Sequence, residues 1–252
     1  MDKDISKFIN NRKKRKKIKK AMLFFILFLA LFILLLGKAP FFNVKQIIIN
    51  NNKIIDTQEI LKLCDVYEKN IFYINTKDLT DNIKTNPYIE NVALSRILPD
   101  KLVVKVEERK AIFYIKLSDG IYVLSPNLTI LEKRQDIEGL NLIELIGVDG
   151  KPTNVGENIT SNVKQQMISE NIGEFLQIND SNVVFSSVDI KNPMGIVLNY
   201  NDIKILVGND ENLKPKLNTA INVLLDENIG LTKGYIDVSF NGSPVIKQEG
   251  GS

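Results

Sequence analysis

The chain has 252 residues, with 33 Lys or Arg, 30 Asp or Glu, one Cys and no His. That length holds one large or two small domains, and the missing histidine removes the commonest general base and metal ligand. A lone cysteine excludes an intramolecular disulfide and a thiolate zinc centre.

The formal net charge of +3 conceals an asymmetry. Residues 1–20 carry ten Lys or Arg against two Asp, a net +8, which leaves −5 for the rest. Behind this basic tail, Ala21–Leu36 is an unbroken run of sixteen apolar residues, extended by Gly37. As a helix it measures about 25 Å, near the roughly 30 Å of a bilayer core. A cleavable signal needs a small-x-small site after its apolar region. Gly37-Lys38-Ala39 is the only candidate, and Pro40 behind it makes a poor substrate, so residues 21–37 read as a retained transmembrane helix. Arg12, Lys13, Lys14, Arg15, Lys16, Lys17, Lys19 and Lys20 then form a topology signal. It keeps the N-terminus in the cytoplasm and also touches anionic lipid. A nucleic-acid arm is the other use of a basic run, but a position directly against an apolar span favours topology.

Phe41–Asn50 reads as a strand entering a core, and Asn50–Asn52 as a turn. Asp56 caps a helix whose face carries Ile60, Cys64 and Tyr67, with Cys64 as a buried position rather than a reactive thiol. A second helix starts near Asn75 or Thr76, packs Leu79 and Ile83, and stops by Asn86 because Pro87 follows. Ile89–Ile97 and Leu102–Glu107 make a hairpin around Pro99-Asp100, with Leu102, Val104 and Val106 on one face.

Residues 111–247 are richer in strands. Turns at Ser118-Asp119-Gly120 and Pro126-Asn127 divide the first of them, and Leu140–Gly147 supplies another. Ser161 reads as the cap of a helix carrying Val163, Met167, Ile168 and Ile172. Strand-like Val183–Ile190 precedes a hairpin turning on Asn201-Asp202. Leu213, Leu217, Ala220, Ile221, Leu224 and Leu225 make a strongly periodic helix with Pro215 in its first turn. The chain closes with a strand, an Asn241-Gly242 turn and a short last strand.

The segments FNVKQIII at 42–49, NIFYIN at 70–75 and NPYIENVALSRILPDKLVVKVEER at 86–109 occur in that order. They are followed by GIVLNYNDIKILVG, a helix and GYIDVSF. This ordered set resembles the FtsQ/DivIB family of bacterial division proteins. Pro87, Arg96, Pro99, Glu108 and Arg109 stand where the family's P…R…P…ER pattern is expected; Ala111 and Asn141 depart where prolines are common. The resemblance implies an α+β protein: a single transmembrane helix, a β-α-α-β-β POTRA domain at 41–110, a mixed, strand-rich β-domain at 111–247 and a short tail at 248–252.

No enzyme chemistry is legible. Ser161-Asn162-Val163-Lys164 matches the S-x-x-K nucleophile motif, but the later serine and K-T-G motifs are absent or out of order. Glu107 and Glu108 are adjacent on a strand and point to opposite faces. No phosphate-binding glycine loop occurs, and no cofactor or metal is expected.

What remains is binding. A strand at or near a sheet edge offers unpaired backbone groups to a partner's strand, and Gly234–Gly242 is the candidate, with Tyr235, Asp237 and Ser239 opposite Ile236, Val238 and Phe240. The resemblance implies that FtsB/DivIC-like and FtsL-like small coiled-coil membrane proteins dock at the final strands, through Tyr235, Ser239 and Phe240. It also implies a scaffold at the division septum that reaches the septal cell-wall synthases indirectly. The rival is a POTRA-type transport or chaperone module, which predicts repeated POTRA units or a barrel; one unit and no barrel-length strand run are present.

Overall fold

A computed structural model describes residues 2–151 and 154–249, with side chains described over 14–33 and from residue 39 onward. Contacts divide the chain into two units, Met1–Lys84 with Asn91–Glu107, and Thr85–Glu90 with Glu108–Ser252.

The first unit begins with one long helix, α1 (Asp2–Lys38). Among the described residues no helix is long and apolar enough to cross a membrane. The predicted span runs to Gly37, and its residues 34–37 lie outside the described side chains, as do Arg12 and Lys13 of the basic run. Then come β1 (Gln46–Asn50), α2 (Thr57–Leu63), α3 (Thr76–Ile83), β2 (Ile89–Ile97) and β3 (Lys101–Glu108), the expected β-α-α-β-β order. The sheet order is β1-β3-β2, with β1 parallel to β3 and Ile47 beside Leu102. Both helix starts are fixed by side-chain caps. Asp56 accepts from the Gln58 amide at 2.6 Å, and Asn75 accepts from the Lys77 amide at 3.1 Å. Leu79, Ile83, Leu102, Val104 and Val106 are buried as their spacing predicts.

Two expectations for this unit are corrected. The first strand starts only at Gln46, because Pro40–Phe42 form a 3-10 turn and the Lys45 and Gln46 amides both bond the Asp100 carbonyl. Tyr67 does not share the face of Ile60 and Cys64. The helix ends at Leu63, the chain leaves the helical track at Cys64, and Tyr67 is 49 % exposed. Cys64 is buried as expected, and burial pushes its thiol up to about 11, which suits an inert position.

The arginines of the P…R…P…ER pattern are backbone clamps. Arg96 donates through Nε to the Ile71 carbonyl at 2.8 Å and through Nη2 to the Ile74 carbonyl at 3.1 Å. Those bonds satisfy acceptors in a segment that has no regular ladder of its own. In the second unit, Arg109 Nη1 bonds the carbonyls of Pro87 at 2.9 Å and Ile89 at 2.7 Å.

Among the described residues, that second unit is a nine-stranded mixed sheet with two helices. Its elements are β4 (Phe113–Leu117), β5 (Gly120–Leu124), β6 (Ile130–Arg134), β7 (Ile143–Ile146), α4 (Val163–Ile178) and β8 (Ser187–Asp189). They continue with β9 (Ile196–Tyr200), β10 (Asp202–Gly208), α5 (Leu213–Leu225), β11 (Lys233–Asp237) and β12 (Val245–Gln248). The order across the sheet is β12-β11-β10-β9-β8-β7-β4-β5-β6. Leu145, Val188, Leu198, Ile205 and Ile236 lie side by side in register across five strands. With Ile168, Ile172 and Phe175 of α4 and Leu217, Ala220 and Ile221 of α5 they belong to one buried core.

Three expectations change here. Val183–Ile190 is a strand only over Ser187–Asp189, although Val183 and Phe185 are buried. Ser161 is not the cap of α4; Asn162 is, accepting from the Lys164 amide at 3.1 Å and the Gln165 amide at 3.3 Å. Val163 and Met167 are 64 % and 51 % exposed, because the buried stripe runs through Ile168, Ile172 and Phe175. It includes the buried Gln165, whose amide accepts from the Asp149 N–H and donates to the Gly147 carbonyl, both at 2.8 Å.

Two outcomes follow for unfolding in urea. Arg96→Ala strands two carbonyls and is expected to lower stability by about 2–3 kcal/mol, with Arg96→Lys recovering less than half. Asn162→Ala is expected to cost about 1 kcal/mol and Ser161→Ala under about 0.5 kcal/mol; the reverse ranking would return the cap to Ser161.

Candidate partner-binding edge

The candidate residues Tyr235, Ser239 and Phe240 sit on and just after β11, and the sheet order decides what they can do. β10 and β11 are parallel neighbours joined through α5, with Ile205 beside Ile236. β10 therefore occupies one side of β11. The other side is taken by β12, antiparallel, with Tyr235 beside Lys247 and Ile236 beside Ile246. The predicted strand 234–242 is therefore not the edge. Its ladder ends at Asp237, and the terminal strand of the sheet is β12.

The pairing also tells which groups face outward. Glu249 N–H donates to the Lys233 carbonyl at 3.1 Å. Antiparallel pairing alternates, so the N–H and C=O groups of Ile246 and Gln248 point away from β11 to the open side. At the opposite border, the Ile130 amide of β6 bonds the Glu157 carbonyl at 2.9 Å and the Gly156 amide bonds the Ile130 carbonyl at 2.8 Å. The start of that edge is therefore covered by its own loop.

Phe240 has the same parity as the buried Ile236 and Val238, yet it is 46 % exposed. The reason is local. Val238 N–H still donates to the Leu206 carbonyl at 2.9 Å, and then Ser239 N–H turns back to Asp237 Oδ1 at 2.9 Å. This Asp-initiated turn breaks the two-residue alternation and swings the ring out toward the Gly242 turn. Tyr235 is half-buried, with Lys247 Nζ 6.0 Å from its ring centroid, and Ser239 is exposed. All four β12 residues are exposed, including Val245 and Ile246. Sequence reasoning passed over these two, although a short strand returning from an Asn-Gly turn onto a strand already flanked by a crossover has only the outer position left.

Two glycines shape this corner. Gly234 has φ +136 and a Cβ there would run into the Lys247 carbonyl, so only glycine lets β12 approach. Gly208 has φ +73, and a Cβ would meet the Ser239 Cβ at 2.8 Å. Among the described residues no group of three or more acidic, His or Cys side chains could hold a metal. Of the topology residues, Lys14, Arg15, Lys16, Lys17, Lys19 and Lys20 are exposed on α1.

A small β-α-α-β-β unit followed by a mixed sheet that ends in an uncovered strand defines a POTRA-bearing protein. Sequence comparison agrees on the first unit: the profile of the FtsQ-type POTRA domain matches residues 42–109. The chain is 38 % identical to the cell division protein DivIB of Clostridium botulinum strain Hall, over 98 % of each chain. It is 37 % identical to DivIB of Clostridium tetani over 86 % of this chain and 84 % of that one. A cell division protein FtsQ from Syntrophotalea carbinolica is 25 % identical over 86 % of this chain and 78 % of its own. The chain belongs to the FtsQ/DivIB family of cell division proteins.

Gly234→Ala is expected to detach β12 without unfolding the sheet. Hydrogen exchange would show protection lost at Lys247 and Glu249 but kept at Ile205; retained protection at both would mean that β12 tolerates the side chain.

Proposed function

We propose that this protein is a divisome scaffold without catalytic activity. In this reading it is anchored once in the cell membrane by residues 21–37, with residues 1–20 in the cytoplasm. The POTRA domain (41–110), the β-domain (111–247) and the short tail (248–252) lie outside. It sits at the division septum, holds FtsB/DivIC-like and FtsL-like small coiled-coil membrane proteins, and helps regulate septal peptidoglycan synthesis through them. Family membership supports the division role over a transport or chaperone module.

The observation that carries the reading is the terminal strand β12, with outward backbone groups at Ile246 and Gln248 and exposed apolar side chains at Phe240, Val245 and Ile246. A partner's strand laid against it gains backbone hydrogen bonds, and the alternating side chains provide selectivity. Tyr235 and Ser239 flank that edge, Tyr235 beneath Lys247 and Ser239 at the turn leaving β11. The charge partition supports the topology, with +8 before the apolar run and −5 from Ala21 onward.

Photo-crosslinking in cells from a reactive residue replacing Phe240 tests this. Capture of small single-pass coiled-coil proteins, reduced at least tenfold by Ile246→Pro, is the expected result, since proline cannot donate from the open edge. Capture of assorted unfolded exported chains would favour the transport reading instead.

A further inference from the structure

Resting on the anchor just proposed, the geometry of α1 points to a binding site at its cytoplasmic end. We propose that Lys14, Arg15, Lys16, Lys17, Lys19 and Lys20 form a collar that binds anionic phospholipid headgroups and gathers them around the helix where it enters the bilayer. This goes beyond orientation. Topology needs only an excess of positive charge on one side, whereas lipid selectivity needs the charges at headgroup height and facing outward.

Both conditions are met. The basic run is helical and continuous with the apolar run, since α1 extends without a break from Asp2 to Lys38. At about 1.5 Å per residue, Lys14 to Lys20 all lie within roughly 10 Å of Ala21 along the axis. That is the depth of a headgroup layer and about one Debye length in physiological salt. Every one of these six cations is exposed, and the ion pairs among the described residues use other cations.

Their angular distribution identifies the ligand. At about 100° per residue, the six positions surround the axis with no gap wider than roughly 100°, and exposed Ile18 falls in that widest gap. The adjoining apolar stretch is exposed all round too, through Phe24, Phe25, Ile26, Leu27, Phe28 and Leu29. A helix lying on a membrane surface or along a nucleic acid concentrates its cations on one face. A complete ring directly against an all-round apolar cylinder matches an upright helix encircled by lipids.

The test uses the full chain reconstituted in phosphatidylcholine vesicles containing trace spin-labelled phosphatidylglycerol or phosphatidylcholine. Electron paramagnetic resonance reads the motionally restricted lipid around the protein, and protease protection reads insertion and orientation in the same vesicles. Labelled phosphatidylglycerol is expected to be enriched about fivefold or more over phosphatidylcholine, the factor that one favourable cation contact supplies. The preference should fall toward parity in 1 M salt, where the Debye length is about 3 Å. It should also fall in a variant carrying Lys14→Gln, Lys16→Gln, Lys17→Gln and Lys19→Gln, which keeps Arg12, Lys13, Arg15 and Lys20 for orientation. Parity in the inserted wild-type chain, or selectivity undiminished by the fourfold substitution, overturns the collar and leaves the anchor standing. A chain that fails to insert overturns both. Preference for a duplex DNA oligonucleotide over anionic vesicles would replace the proposal with a nucleic-acid arm.

Discussion

The row Leu145–Val188–Leu198–Ile205–Ile236 sets the geometry of the C-terminal half. Each of these side chains is buried, and the register places them side by side across β7, β8, β9, β10 and β11. Full burial of one such side chain stabilises by about 1.5–3 kcal/mol. A strand slipped by one residue would send its apolar set to the wrong face, so the row locks register from β7 to β11. The next member, Ile246, is 36 % exposed. Apolar burial thus holds β11 and fades at β12, where backbone pairing takes over.

That change in the source of stability separates the buried scaffold from the terminal strand. β12 is held by four register pairs to β11 and contributes no buried side chain. Backbone hydrogen bonds contribute about 1 kcal/mol each in net terms, enough to keep the strand in place while its outer groups stay open. β6, at the other border, has the outer side of Ile130 bonded by the loop through Gly156 and Glu157. Of the two borders, the C-terminal one is the better template for an added strand.

Local signals in the sequence translated well into structure. The caps at Asp56 and Asn75, the 89–107 hairpin, the turn at Asn201 and the amphipathic helix 213–225 all depend on residues a few positions apart. Failures came where two local solutions compete or where the answer is non-local. Ser161 and Asn162 are both good capping types, and their order of merit rests on which oxygen reaches the Lys164 and Gln165 amides. Val163 and Met167 face outward because the buried stripe of the helix runs through Ile168, Ile172 and Phe175. Gln165 is buried because its side-chain amide accepts from the Asp149 N–H and donates to the Gly147 carbonyl, both distant in sequence. Tyr235, Ser239 and Phe240 rest on the family resemblance, whereas the exposure of Val245 and Ile246 depends on sheet order, which no short window contains.

The difference between motif and site has a physical basis. Arg96 and Arg109, which carry part of the family resemblance, point their guanidinium groups at main-chain carbonyls: Ile71 and Ile74 for one, Pro87 and Ile89 for the other. For Arg96, two nitrogens of a planar, permanently charged fork reach two fixed carbonyls, a fit that demands one residue type, so folding leaves a readable mark there. A strand edge makes the opposite demand. Its first affinity comes from N–H and C=O groups that every residue but proline supplies. Beside it, Phe240, Val245 and Ile246 are exposed apolar side chains. The sequence pattern therefore points to what holds the domains together, and the surface best suited to a partner is visible only once β12 is seen to take the last place in the sheet.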